Sequence, residues 1–295
     1  MSVDSPKISD SKFGIEFETC VIDIVDGNVE DNFQYFPIYT KKANEILKEN
    51  GIEEQLFFDN SLDILNREYD EKTYRVEYDI TVECKSQFVH LDKKYPVHII
   101  EIVTPIIGYY KNSIDTFQKV YDNVIKHPDF LYEVNDSQGL HITISHPNHK
   151  TKNFLQFFWY FEPIIIRFLP FNRQLKLEGM AKPLRSQFTN FEDIDEKIIK
   201  KKYSAVNVRK DSYEIRIINP DIYNYDHHIY WVHLLIGLLW CSITIPIEKL
   251  DITKSNDLVD LFKELFDILE TTGTDYSSMK KHFTDVYKKY NSIDK

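Results

Sequence analysis

Polar and apolar residues alternate with a period of two along four stretches of the chain. In FGIEFE (13–18), Phe13, Ile15 and Phe17 take one face, Glu16 and Glu18 the other. Side chains two apart on a strand point the same way. In RVEYDITVE (75–83), Glu77, Asp79, Thr81 and Glu83 oppose Val76, Tyr78, Ile80 and Val82. In GLHITIS (139–145), His141 and Thr143 oppose Leu140, Ile142 and Ile144. In YEIRII (213–218), Glu214 and Arg216 oppose Tyr213, Ile215 and Ile217. The pattern predicts strands over 13–25, 73–84, 139–145 and 213–218. Two more are predicted over 97–104, closed by Pro105, and over 204–208. The last forms a hairpin with 213–218 through a turn at Arg209–Ser212.

Helical spacing runs over 37–50, stopped by Asn50-Gly51, and over 112–126, where Ile114, Phe117, Val120, Tyr121 and Val124 share a stripe. A mostly apolar helix over 153–169, rich in Phe and Trp, reads as core. Three more helices are predicted near 228–243, 255–271 and 275–291. The longest apolar run, Ile229–Ile245, contains His233 and is short for a bilayer span, so it reads as a buried helix. Residues 1–12 read as a loose tail and 13–295 as a single α+β domain, its C-terminal helical part about 228–295.

Composition sharpens this picture. Of 295 residues, 42% are hydrophobic and 14% aromatic, enough for a sizeable core. The net charge of −11 gives a nucleic-acid partner no general attraction. Cys20, Cys84 and Cys241 show no disulfide or metal spacing, which fits a reducing compartment. The opening MSVDSPKISD does not read as a signal peptide, so the expectation is cytoplasmic, without membrane attachment. The sequence has no G-x-x-x-x-G-K-S/T loop and only eight glycines, so phosphate binding must come from elsewhere.

The polar faces carry mainly carboxylates, with one His and one Arg, rather than the Lys, Ser and Thr mixture of a solvated sheet. Massed acids repel unless cations neutralise them. Carboxylates and an imidazole suit Mg²⁺ or Mn²⁺. The pairs His146/His149 and His227/His228 are placed in loops and lack zinc-motif spacing. Arg167, Arg173, Lys182 and Arg185 read as solvated charge, with a substrate carboxylate or phosphate contact as the functional alternative.

Six elements in one order carry a resemblance: FGIEFE; Tyr78-Asp79-Ile80-Thr81; Ile100-Glu101-Ile102-Val103-Thr104-Pro105; Ser137-Gln138-Gly139-Leu140-His141; Tyr203-Ser204-Ala205-Val206-Asn207; and Tyr213-Glu214-Ile215-Arg216. The series resembles the amidoligases, carboxylate–amine ligases similar to glutamate–cysteine ligase with a glutamine-synthetase-like fold. The resemblance implies an antiparallel β-sheet funnel with helices packed on its outer face. It also implies ATP and two or more Mg²⁺ ions, or Mn²⁺, in the funnel. Glu16, Asp79 and Glu214 would surround one ion, and Glu18, Glu101 and His141 a second. Arg216 would meet the transferring phosphate. Asn207, Thr81 and Thr143 would contact substrate or ATP or support the ligands. Glu83, on the face of Asp79, rivals Glu101 as ligand. Two positions depart from the family pattern: Gln138 stands where Cys is usual, and Thr143 where a second His is usual.

The activity so implied is ATP- and Mg²⁺-dependent formation of an amide or isopeptide bond through an acyl phosphate. Glu16, Glu214 and Arg216 would be catalytic. The substrates would be small-molecule or peptide carboxylates and amines; the sequence names neither, and leaves the oligomeric state open. A guanidino-kinase-like phosphotransferase on the same fold would yield ADP without free phosphate. A non-catalytic metal-binding scaffold would turn over nothing.

Overall fold

A computed structural model describes residues 6–23, 32–58, 73–78, 82–84, 87–90, 93–133, 135, 137–194, 203–251 and 257–291. The chain divides into two compact units. One comprises Gly14–His141 and Pro220–Tyr225; the other comprises Met1–Phe13, Ile142–Asn219 and Asp226–Lys295. Each combines helices with mostly antiparallel strands, the mixed α+β class expected.

In the first unit β1 (Lys12–Ile22, residues 14 onward) is bordered by β5 (Lys93–Val103), with Glu16 opposite Val103 and Glu18 opposite Glu101. β3 (Thr73–Glu77) continues the sheet on the far side of β5, with Glu77 opposite Glu101. β2 (Gln55–Phe58) pairs with β3 in parallel, a departure from an all-antiparallel sheet. β4 (Gln87–His90), which alternation did not predict, forms an antiparallel pair with β5. The short strands β6 (Ile107–Gly108) and β7 (Leu131–Glu133) also pair with β1.

The greasy face of this sheet is covered by helices. α1 (Asn32–Glu49) buries Tyr35, Phe36, Tyr39, Ala43, Ile46 and Leu47. Its Asn44 brackets Leu56 of β2, donating from Nδ2 to the carbonyl at 2.8 Å and accepting the amide on Oδ1 at 2.7 Å. Thr40 donates to the carbonyls of Phe36 and Pro37, so the predicted helix start at Pro37 lies inside the helix, five residues past its first. α2 (Lys111–Val120) runs on as one π-helical turn, Tyr121–Ile125, and sets the Tyr121 ring 6.1 Å from Phe17 of β1.

The predicted strand over 73–84 is shorter than alternation suggested: it ends at Glu77, and 82–84 is not strand. The physical reason lies in what holds 82–84. The Glu83 amide donates to Ser137 Oγ at 2.9 Å, and its carbonyl accepts from Asn135 Nδ2 at 2.7 Å. Cys84 is joined to Cys20 of β1 in a disulfide, with Cα atoms 5.9 Å apart. This corrects the expectation of three unpaired cysteines. Bridging depends on which Cβ atoms the fold brings together, not on the 64-residue separation along the chain. Cys241 alone is free, and it is buried.

The second unit contains β10 (Tyr213–Ile218), paired antiparallel with β9 (Val206–Val208), Glu214 opposite Asn207. The Arg209 amide donates to the Ser212 carbonyl at 2.9 Å, closing the predicted hairpin turn. β8 (Leu140–Ser145) contributes residues 142–145 beside β10. α3 (Thr151–Arg167) is buried along most of its length, as its composition predicted, and places Phe154 4.3 Å from the Tyr213 ring. Two helices were not anticipated, α4 (Phe171–Met180) and α5 (Leu184–Gln187). α6 (Tyr225–Thr244), α7 (Leu258–Glu270) and α8 (Ser277–Asn291) match the three C-terminal predictions. No helix among the described residues is long and apolar enough to cross a membrane.

Several charges read as solvated are structural. Arg173 is buried and donates to the carbonyls of Arg216, Ile217 and Ile218, fixing the end of β10. Glu162 is fully buried and accepts the amides of Leu184 and Arg185, both at 2.7 Å. Arg185 donates to the Trp159 and Tyr160 carbonyls and lies 4.2 Å from the Trp159 ring. The pair His227-His228 sits in the first turns of α6, not in a loop. There Trp231 Nε1 donates to His227 Nε2 at 3.2 Å, and His227 Nδ1 lies 3.4 Å from His282 Nε2 of α8. His146 and His149 are in the loop expected, where their rings close a turn.

Candidate functional site

Antiparallel pairing turns the alternation of β1 and β5 into a specific meeting of acids. Glu18 and Glu101 are cross-strand partners, so their side chains rise on the same face. His141 follows Gly139, whose carbonyl accepts the Glu18 amide at 3.0 Å. That bond brings the imidazole beside β1. His141 Nδ1 lies 3.3 Å from Glu16 Oε2, and His141 Nε2 lies 3.3 Å from Glu18 Oε1. Donor atoms of Glu18, Glu101 and His141 all fall within 4.8 Å of one another. Glu18 and His141 are buried; Glu16 and Glu101 are half-buried.

The donor set fits a divalent cation. Two carboxylates and an imidazole converging within 4.8 Å offer oxygen and nitrogen ligands to one ion. Gly139 supplies the clearance. A Cβ there would lie 2.4 Å from Glu18 Oε2 and 3.0 Å from His141 Nε2. Two carboxylates with one imidazole suit Mn²⁺ at least as well as Mg²⁺.

Glu101, rather than its rival Glu83, joins this group; Glu83 is exposed and its backbone is held by Asn135 and Ser137. Glu77 also rises on this face, opposite Glu101, and forms an ion pair with Arg75. The expected ligand Asp79 and the expected substrate contact Thr81 lie outside the described residues. Gln138, at the position where Cys is usual, is a loop staple. Its Nε2 donates to the Glu133 carbonyl at 2.6 Å and its Oε1 accepts the Asn135 amide at 3.2 Å.

In the other unit the expected residues Asn207, Glu214 and Arg216 converge. Glu214 is buried, and its Oε1 accepts from Arg216 Nη1 at 2.6 Å. Its Oε2 accepts from Asn207 Nδ2 and Arg209 Nη2, both at 2.8 Å. Arg216 Nε is buried and has no hydrogen-bond partner among the described residues. Thr143 is half-buried on β8.

Sequence reasoning quoted Gly139 without assigning it a role, and named Arg209 only as a turn residue. The signal for Arg209 was its place two residues beyond Asn207, at the turn of the predicted hairpin. Gly139 had no such signal, because its role depends on a close approach from another strand.

No curated protein matches the chain. A family model described as "putative amidoligase enzyme" matches residues 9–224, a span that contains β1, β5, His141, Asn207, Glu214 and Arg216. By that match, over well more than half of its length, the chain belongs to the amidoligase family.

Proposed function

We infer that the protein is an ATP- and Mg²⁺-dependent carboxylate–amine ligase, with Mn²⁺ as an alternative ion, which forms an amide or isopeptide bond through an acyl phosphate. The observation that carries this reading is the meeting of Glu18, Glu101 and His141 around the clearance at Gly139, in a member of a ligase family. The reading includes the glutamine-synthetase-like funnel and, as substrates, small-molecule or peptide carboxylates and amines.

A substrate carboxylate oxygen attacks the γ-phosphorus of ATP, the bond to the bridging oxygen breaks, and ADP departs. The amine nitrogen then attacks the acyl carbon, the acyl–oxygen bond breaks, and phosphate leaves carrying the amine's proton. Phosphoryl transfer is governed by charge neutralisation and positioning more than by covalent help from the protein. Glu18, Glu101 and His141 would hold a divalent ion, with Glu16 orienting the imidazole. Bound there, the ion neutralises phosphate charge as a Lewis acid. Arg216 is held by Glu214 with a buried Nε–H that has no partner among the described residues, a donor available to a phosphate oxygen. Asn207 fixes the second oxygen of Glu214, so the arginine's anchor does not rotate.

The test is phosphate release from ATP with Mg²⁺ or Mn²⁺, for wild type, Glu18→Gln and Arg216→Gln, against pools of amino acids, peptides and amines. Release stimulated by one pool and abolished in both variants is expected. ADP formed without free phosphate would replace the ligase with a phosphotransferase. Absence of both turnover and ATP binding would leave a non-catalytic scaffold.

A further inference from the structure

A cleft of about 390 Å³ opens at the start of α2, within the sheet unit. That volume is in the range of small-molecule sites. Tyr74 of β3 lines it, and Tyr74 and Glu77 are three apart on that strand, so they point to opposite faces. The cleft therefore lies behind the sheet face on which Glu77, Glu101 and Glu18 rise. One part of its lining is acidic. Glu54 is half-buried, and its carboxylate has no hydrogen bond or ion pair among the described residues. Another part is the N-terminus of α2. Tyr110 supplies no side-chain cap, the first turn holds no acid, and the amides of Lys111 and Asn112 have no acceptor among the described residues. Such an end carries partial positive charge. The rest is apolar: Ile106 is 66% exposed and Tyr110 54%. A Cβ at Gly108 would run into the Tyr110 ring, so the ring lies against bare backbone.

An uncapped helix end by itself is hydrated and calls for no ligand. Tyr74 supplies the second observation. It is only 3% exposed, and its hydroxyl has no hydrogen-bond partner among the described residues. Buried polar groups are rarely left so. Burial, with Glu54 and Tyr225 nearby, pushes the phenol well above its ordinary value, so the proton stays on. A carboxylate, an uncapped helix start and an apolar surface in one cleft match a ligand that carries an ammonium, a carboxylate and a hydrophobic group. We propose that this cleft binds a free α-amino acid with a large apolar side chain, at a site separate from the acids of β1 and β5. The ligand ammonium donates to the Glu54 carboxylate and to the Tyr74 hydroxyl oxygen. Its carboxylate accepts from the first amides of α2 and from the Ser113 hydroxyl, and its side chain covers Ile106 and Tyr110. The site stands whether or not the protein is a ligase, since none of these residues serves that reaction.

The experiment titrates leucine and phenylalanine calorimetrically into wild type, Glu54→Gln, Tyr74→Phe and Glu18→Gln, with leucinamide and N-acetyl-leucine as probes that each lack one charge. Both amino acids are expected to bind wild type, and each derivative about tenfold or more weakly. Glu54→Gln should weaken leucine by about ten- to a hundredfold, the loss of one charge-assisted contact, and leave N-acetyl-leucine, which has no ammonium, within about twofold. Tyr74→Phe should weaken leucine about fivefold, the loss of a neutral hydrogen bond. Without ligand, Tyr74→Phe should melt at or above wild type, because a buried hydroxyl without a partner has been removed. Glu54→Gln should melt as wild type does, since no ion pair is lost. Absence of binding by both amino acids at about 10 mM overturns the site. Leucine affinity equal in Glu54→Gln and wild type overturns it too. Leucine binding lost in Glu18→Gln but kept in Glu54→Gln would put the amino acid among the acids of β1 and β5, which overturns this site and leaves the ligase reading standing.

Discussion

Glu18 of β1 and Glu101 of β5 stand directly opposite each other in an antiparallel ladder, with Glu77 of β3 opposite Glu101 on its other side. Like charges so placed destabilise a sheet by a few tenths to about 1 kcal/mol per pair. A divalent cation reverses that sign. Glu101→Gln should therefore raise the melting temperature of the metal-stripped protein and lower it, relative to wild type, when Mn²⁺ or Mg²⁺ is saturating. Thermal melts with a chelator and with each ion read both effects. A wild-type melting temperature indifferent to both ions would count against the ion.

Gly139→Ala tests the clearance beside Glu18. The added methyl would overlap Glu18 Oε2 and crowd His141 Nε2, so the carboxylate must turn away. Mn²⁺ affinity is expected to fall by about ten- to a hundredfold, the scale for disturbing groups that orient a ligand. The fold should survive, as Gly139 has no positive φ to maintain. Calorimetric titration of Mn²⁺ and a circular dichroism spectrum separate the two effects.

The Cys20–Cys84 disulfide closes a span of 64 residues in the sheet unit. Chain-entropy reasoning gives about 4 kcal/mol for a loop of that length. A reductant should lower the melting temperature of wild type and leave the double variant Cys20→Ser/Cys84→Ser, already less stable, unaffected. Under denaturing, non-reducing conditions one thiol, Cys241, should react with an alkylating agent. Three reactive thiols would show the bridge absent.

Two buried groups give opposite pH slopes. Burial, with His282 and Lys289 nearby, pushes the His227 imidazole down to about 3 from 6.5. As pH falls below 6.5 the unfolded chain takes up a proton that the folded one refuses, so stability is lost with acid down to about 3. Burial pushes the Glu162 carboxyl up to about 7 from 4.5, against the pull of the Arg185 and Leu184 amides. Its contribution is present below 4.5 and is lost as pH rises to about 7. Urea midpoints across this range should therefore show a flatter acid limb in His227→Gln. They should show a smaller decline from 4.5 toward 7 in Glu162→Gln. Curves parallel to wild type in either variant would contradict its assignment.

By itself the sequence determined which residues share a face, because a period of two is a local property of strands. Hence Glu16 with Glu18, His141 in its strand, and the Glu214–Arg216 pair in its hairpin were legible, as were the C-terminal helices from their apolar runs. The ordered series of motifs added the family, which the match over residues 9–224 bears out. What the sequence could not supply was register. Only the pairing of β1 with β5 decided that Glu101, not Glu83, meets Glu18, and it did so across a separation of more than eighty residues. Alternation ran on through Cys84, yet the strand ends at Glu77, because a disulfide and the side chains of Asn135 and Ser137 outcompete ladder bonds for 82–84. Arg173 and Arg185 looked like surface charges for the same reason. A buried charge is recognisable only by the carbonyls or amides that surround it, and those are assembled by tertiary contacts.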